Sequence, residues 1–176
     1  VHVHMVGSGP ETERYKTIVK TYGLDANVTF WGRCDGAQLD RLIDMSDLAV
    51  SSLGLFRMGW KDASPLKSRE YCARGIPFCY AGNDPDFSPG LPFVFQLPSD
   101  ESPVPFEAAV RFAGQCSSNS SLHAEMRSYA QTYLSWDVKM QLVSSFFSAL
   151  LPVPQRKKSA RINVETIRKS LLTKIH

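Results

Sequence analysis

The sequence has 176 residues, 43% of them hydrophobic, enough to bury a sizeable core and too apolar for a disordered chain. No apolar run approaches the ~18 residues that a membrane-spanning helix needs, and no stretch reads as a signal peptide. The net charge of +3 is unevenly placed: after Pro154 seven basic residues face the single acid Glu165, whereas the residues before carry 13 basic and 16 acidic side chains. The tail is therefore +6 and the body −3, which excludes a basic nucleic-acid groove in the body.

Residues 1–6 predict a strand that leaves through Gly7-Ser8-Gly9-Pro10. The chain opens inside this apolar segment without a methionine, which reads as a fragment whose preceding part is absent. A helix follows from about residue 11, with Tyr15, Ile18, Val19 and Tyr22 spaced for burial, and Gly23 ends it. Residues 28–32 predict a second strand, residues 36–46 a second helix with Leu39, Leu42 and Ile43 inward, and residues 48–53 a third strand. A loop over 54–63 then leads to the best-punctuated stretch of the chain. Ser64 suits an N-cap, Pro65 the first helical position, and Gly75 a left-handed end, with Pro77 barring continuation.

Beyond it come a buried strand at 76–81, a turn-rich loop at 82–92 and a strand at 93–97. A short helix at 103–116 spaces Phe106, Ala109, Val110 and Ala113 for burial. A long helical region over 122–151, interrupted near Ser135-Trp136-Asp137, is closed by Pro152 and Pro154. The tail holds one more helix, at 164–175.

Short, continuously apolar strands alternating with helices predict an α/β fold, a Rossmann-like doubly wound parallel sheet, followed by C-terminal helices. The expected division is a domain over 1–151, lacking its first strand–helix unit, and a basic tail over 152–176. Ligands of such sheets bind at the carboxyl ends of the strands. The loops expected there are 7–10, 32–36, 54–64 and 82–89.

The four cysteines, Cys34, Cys72, Cys79 and Cys116, form no C-x-x-C pair and read as reduced structural thiols of a cytosolic protein. His2, His4, His123 and His176 form no cluster that predicts a metal. Gly7-Ser8-Gly9 after a strand invites a dinucleotide reading, but Thr12 stands where the third glycine of that fingerprint belongs. The two glycines still allow close backbone approach to a ligand, or make a plain turn.

The helix from Ser64 carries polar residues that a core helix does not require. Lys67 and Glu70 share one face, and Asp62 lies just before the cap. A helix start carries free N–H groups and positive partial charge, which suits a phosphate. A surface helix with an intrahelical Lys–Glu pair is the alternative, and the stretch alone leaves both open.

Five segments taken together resemble one family. Val3-His4-Met5-Val6-Gly7-Ser8-Gly9-Pro10 is similar to the strand and G-x-G-P turn of the C-terminal domain of GT-B-fold retaining glycosyltransferases, the large family-4-like group (glycosyl transferases group 1). Asn27-Val28-Thr29-Phe30-Trp31-Gly32-Arg33 resembles its next strand, and Asp47-Leu48-Ala49-Val50-Ser51-Ser52-Leu53 the strand after that. Ser64 to Pro77 resembles its P-x-K-x-x-E-Y-x-A-x-G-x-P signature, and Tyr133-Leu134-Ser135-Trp136-Asp137 the turn before its last helix.

The resemblance implies transfer of a sugar from a nucleotide-diphosphate donor to an acceptor hydroxyl, in surface polysaccharide or glycan biosynthesis. The nucleotide sugar is a substrate, and no cofactor or metal is implied. Asp62, Lys67 and Glu70 would be the catalytic residues: Glu70 on the ribose hydroxyls, Asp62 facing the sugar with a side chain shorter than the family's usual Glu, and Lys67 stabilising leaving-group charge. Ser64, Pro65 and Leu66 would surround the diphosphate. Gly7, Ser8 and Gly9 would allow its close approach, Arg33 would lie near the base, and Arg57 would touch phosphate or sugar.

The acceptor, a glycan or lipid-linked saccharide, would be held by an N-terminal domain that this chain lacks, so the chain alone is expected to be inactive. The implied setting is cytoplasmic, at the inner membrane face if the basic tail meets anionic lipid; the same tail also suits a helix returning to the missing domain. Two alternatives remain at the level of sequence: a non-catalytic GT-B-like partner-binding domain and a sugar-nucleotide epimerase.

Overall fold

The computed structural model describes residues 1–150. The sequence-predicted tail, including its helix at 164–175, lies outside the described residues. The chain divides into two compact units, Val1–Ser135 and Trp136–His176.

The first unit is an α/β array with all strands parallel. Strand β1 (Val3–Val6), helix α1 (Thr12–Thr21) and strand β2 (Val28–Gly32) form one βαβ unit. Helix α2 (Gly36–Asp44) then leads to a second sheet of strands β3 (Ala49–Val50), β4 (Phe78–Ala81) and β5 (Val94–Leu97), in the order β3-β4-β5. Helix α3 (Leu66–Arg74) joins β3 to β4. Helices α4 (Phe106–Ser117) and α5 (Leu122–Tyr129) follow, with a π-helical turn at Ala130–Leu134. In the second unit, the described residues form helix α6 (Trp136–Leu150).

The core lies around the second sheet. Phe78 and Tyr80 of β4 pack with Phe87, Phe93, Cys72 of α3, and Leu122 and Met126 of α5. Phe78 meets the Phe87 ring edge-on at 5.0 Å, an arrangement that favours aromatic quadrupoles. All four residues of β4 are buried, as a central parallel strand covered on both faces should be.

Several boundaries differ from the sequence reading. The third strand was expected over 48–53; its assigned residues are Ala49 and Val50, with Ser51 and Ser52 carrying the hydrogen bonding to β4 further, and part of the loop over 54–63 winds into a 3₁₀ turn, Leu55–Met58. The long helical region is broken where Ser135 turns extended (φ −64°, ψ 148°). Helix α1 corrects a larger expectation. Its apolar residues keep the predicted spacing but are not buried: Ile18 is 41% and Tyr22 74% exposed. No residue before Leu42 is buried, because two strands and one helix cannot cover each other's faces.

Candidate functional site

The carboxyl end of β3 and the start of α3 carry the densest set of predicted residues. Ser64 was expected to cap α3, but the cap position is Pro65, in extended conformation (φ −64°, ψ 129°), with Ser64 one residue further out. No side chain caps this end. Proline at the cap forces Ser64 away from the helix axis and leaves its hydroxyl unable to serve the first turn. The Ser68 amide folds back on the Pro65 carbonyl at 3.1 Å. The Leu66 and Lys67 amides therefore face outward without an acceptor among the described residues, a positive end with room for an anion. Leu66 is 77% exposed beside them.

Asp62 is held next to this end by backbone pairing. Residues 61–63 run parallel to the exit of β4: the Asn83 amide donates to the Lys61 carbonyl at 3.2 Å, and the Ala63 amide to the Asn83 carbonyl at 3.0 Å. The Asn83 side-chain amide then donates to Asp62 Oδ1 at 2.6 Å. Ser52, Trp60, Lys61, Pro65, Tyr80 and Asn83 line a small cavity beneath this pairing.

The intrahelical Lys67–Glu70 pair, the alternative left open by the sequence, does not form among the described residues. Glu70 Oε1 instead accepts from Arg74 Nε at 3.1 Å, one turn on, and Arg74 also reaches Asp40 and Asp44 of α2. Lys67 keeps no ion-pair partner there, so its ammonium stays available at the helix start.

Gly7, Ser8, Gly9 and Arg33 lie together at the carboxyl ends of β1 and β2. Gly7 takes φ +119°, a region other residues avoid, and its amide donates to the Gly32 carbonyl at 2.6 Å. The Gly9 amide donates to Thr12 Oγ1, so the threonine in place of a third glycine closes this turn. Arg33 is exposed at the adjoining strand end. Arg57 is placed otherwise: Glu101 grips its guanidinium in a two-pronged pair at 2.8 and 2.5 Å. Hydrogen bonding to Glu101, more than simple charge attraction, raises Arg57 above the usual arginine value and lowers Glu101. Arg57 is thus paired with a carboxylate in an exposed ion pair.

The loop over 82–89, read in sequence as a ligand-edge loop, is divided in its task. Asn83 faces Asp62, but Asp84 is 2% exposed and turns inward to Arg69 of α3. Arg69 grips both Asp84 and Asp86 and lies over the Phe87 ring at 5.2 Å. Burial lowers the Arg69 pKa, and the hydrogen bonds it donates to Asp84 and then Asp86 outweigh it, so the guanidinium lies above its ordinary value. Ser51 and Ser68 share a buried hydrogen bond of 2.7 Å that ties β3 to α3. Sequence reading missed Asn83, Asp84, Glu101 and this serine pair. The one available signal was the polar density of Asn83-Asp84-Pro85-Asp86, which says turn but not direction.

The fold and its ligand edge define a Rossmann-like α/β domain of GT-B type. Residues 1–80 match the family model of glycosyl transferases group 1. The structure is similar to sucrose-phosphate synthase from Thermosynechococcus elongatus (TM-score 0.59, 20% identity, 83% of this chain and 38% of that one). It is also similar to the pneumococcal O-GlcNAc transferase GtfA, solved in complex with UDP and GlcNAc (TM-score 0.54, 14% identity, 85% of this chain and 30% of that one). The chain thus spans under two fifths of the length of either structure. No curated protein sequence matches it.

Proposed function

We propose that this chain is the nucleotide-sugar-binding side of a glycosyltransferase that moves a sugar from a nucleotide diphosphate to an acceptor hydroxyl. The observation that carries the reading is the start of α3: outward Leu66 and Lys67 amides, a Lys67 ammonium without an ion pair among the described residues, and Asp62 pinned beside them by Asn83. The diphosphate sits on the two amides, with Ser64, Pro65 and Leu66 around it. Lys67 offsets charge on the departing diphosphate, which grows as the sugar–oxygen bond breaks. Fixed positive groups of the chain carry that role in this reading.

Asp62 faces the sugar. Glu70, one turn inside the helix, accepts from ribose hydroxyls once it leaves Arg74. Gly7, Ser8 and Gly9 admit the diphosphate from the β1 side, and Arg33 lies toward the base. The matched structures' greater length supports an acceptor-binding half outside this chain, for a glycan or lipid-linked saccharide. A cytoplasmic setting, with the +6 tail against anionic lipid, fits such an acceptor.

Calorimetric titration with UDP, GDP and ADP tests the reading. One of the three binds, Lys67→Ala weakens it about tenfold, the loss of one charge-assisted contact, and Glu70→Ala weakens the nucleoside but not inorganic diphosphate. Equal binding by all three proteins, or no binding by the parent, overturns it.

A further inference from the structure

The candidate site has two parts on separate segments, the start of α3 and Asp62. One side chain touches the supports of both. Arg69 of α3 is only 14% exposed along its side chain, and Asp84 opposite it is almost fully buried. Its Nη1 donates to the Pro65 carbonyl at 3.2 Å and to Asp84 Oδ2. Its Nη2 donates to Asp84 Oδ1 and to Asp86 Oδ2, both at 2.5 Å. The loop is also fixed from the core side, because Phe87 is buried and the Tyr129 hydroxyl donates to the Asp86 carbonyl at 2.6 Å.

Each arm of the guanidinium acts on one part of the site. The Pro65 carbonyl and the Leu66 amide belong to one trans peptide unit, so they point in opposite directions. Drawing that carbonyl inward to Arg69 aims the Leu66 amide outward. Asp84 directly follows Asn83, and successive side chains of an extended segment point to opposite sides. Holding Asp84 inward therefore turns Asn83 toward Asp62, where its backbone pairs with Lys61 and Ala63 and its side chain meets Asp62 Oδ1 at 2.6 Å. Stability does not require such a cluster, since apolar side chains of similar volume often serve a core as well as a buried ion pair. What a guanidinium adds is direction, from five donors in one rigid plane.

We propose that Arg69 is a positioning residue of the donor site: it aims the Leu66 amide at the diphosphate through Pro65, and sets Asp62 toward the sugar through Asp84 and Asn83. This rests on the reading of the α3 start as the diphosphate end. Arg69 itself touches no part of the donor. It fixes the spacing between anion end and carboxylate before the donor arrives, so binding meets less cost of ordering the two segments.

Calorimetry on the 176-residue chain tests this, with inorganic diphosphate and with UDP-glucose, GDP-mannose and ADP-glucose as probes. Arg69→Lys keeps a cation against Asp84 but loses the fork. It is expected to weaken inorganic diphosphate about threefold through the misaimed Leu66 amide, and the sugar nucleotide that the parent binds about fifteenfold. Asn83→Ala, which cuts only the route to Asp62, is expected to weaken the sugar nucleotide alone, about fivefold. The double variant binds the sugar nucleotide no worse than Arg69→Lys, although the two losses of thermal stability add, because both changes act on one route. Asp86→Asn leaves the Asp84 pair in place and is the second variant, expected to weaken both probes about twofold. A parent that binds none of the sugar nucleotides removes the reading of the α3 start and this proposal with it. A parent that binds one overturns the positioning role alone if Arg69→Lys and Asp86→Asn bind as the parent does, or if the single losses multiply in the double variant.

Discussion

At the scale of single residues, the joint between α3 and β4 is set by Gly75. It takes φ +80°, and a Cβ there would stand 2.9 Å from the His123 carbonyl oxygen. The His123 ring in turn hydrogen-bonds the Gly75 carbonyl at 2.5 Å, so neither side can retreat cheaply. Gly90 has a similar φ of +88° but open space around it. Gly75→Ala should therefore cost more than the ~1–2 kcal/mol of a left-handed alanine, and Gly90→Ala only that. Thermal unfolding of the two variants checks the order; equal losses would mean that backbone conformation alone matters.

Arg69 and Asp84 act at the same scale. Removing one partner of a buried pair leaves the other charge uncompensated, so Arg69→Ala, which strands the buried Asp84 carboxylate, should cost ~3–5 kcal/mol, read by denaturant unfolding. The thiols give a pH-dependent readout. Burial pushes Cys72 up to about 12 and Cys79 to about 11, from an ordinary 9, so both stay protonated at neutral pH. Iodoacetamide at pH 8 should label Cys34, which is only partly buried, well before Cys72, Cys79 or Cys116. Above pH 9 the unfolded chain loses protons that the folded Cys72 and Cys79 retain, so stability falls as pH rises from 9 toward 12.

At the scale of elements, α3 links the core to the ligand edge through the Ser51–Ser68 hydrogen bond. Ser68→Ala strands the buried Ser51 hydroxyl and should cost ~1–3 kcal/mol. Adding Ser51→Ala should recover part of the loss; a strictly additive double variant would show the two hydroxyls to be uncoupled. The helix itself was legible because its end signals are local: Gly75 does take the left-handed conformation, and the chain turns into a buried strand at Phe78. Its cap was misplaced by one residue because Ser64 and Pro65 are both acceptable N-terminal residues, and only the dihedral angles decide between them. Glu70's link to Arg74 was hidden for another reason. It is an i,i+4 pair that competes with Lys67 for the same carboxylate, and Arg74 is held there also by Asp40 and Asp44 of α2, a neighbour of which spacing within one helix holds no record.

At the scale of the whole molecule, the alternation of strands and helices was enough to read the fold class, because parallel strands need apolar runs and crossover helices. Burial was not legible in the same way. The spacing of Tyr15, Ile18 and Tyr22 promises a covered face, but coverage depends on which strands are present beside α1. The consequence is an uneven distribution of stability. Residues before Leu42 contribute no buried side chain, whereas α3, β4 and α5 meet in one cluster with Phe78, Leu122 and Met126 each at 1% exposure or less. Local opening follows buried apolar contact, so β1, α1 and β2 should open at lower free energy than α3 and β4. Trypsin offers a direct comparison, since Arg14, Lys16 and Lys20 lie in α1 and Lys67, Arg69 and Arg74 in α3. Limited digestion under native conditions should cut within α1 first and leave a resistant product that begins beyond it and retains α3 through α5. Simultaneous cleavage in both helices would show that the βαβ unit and the core unfold as one.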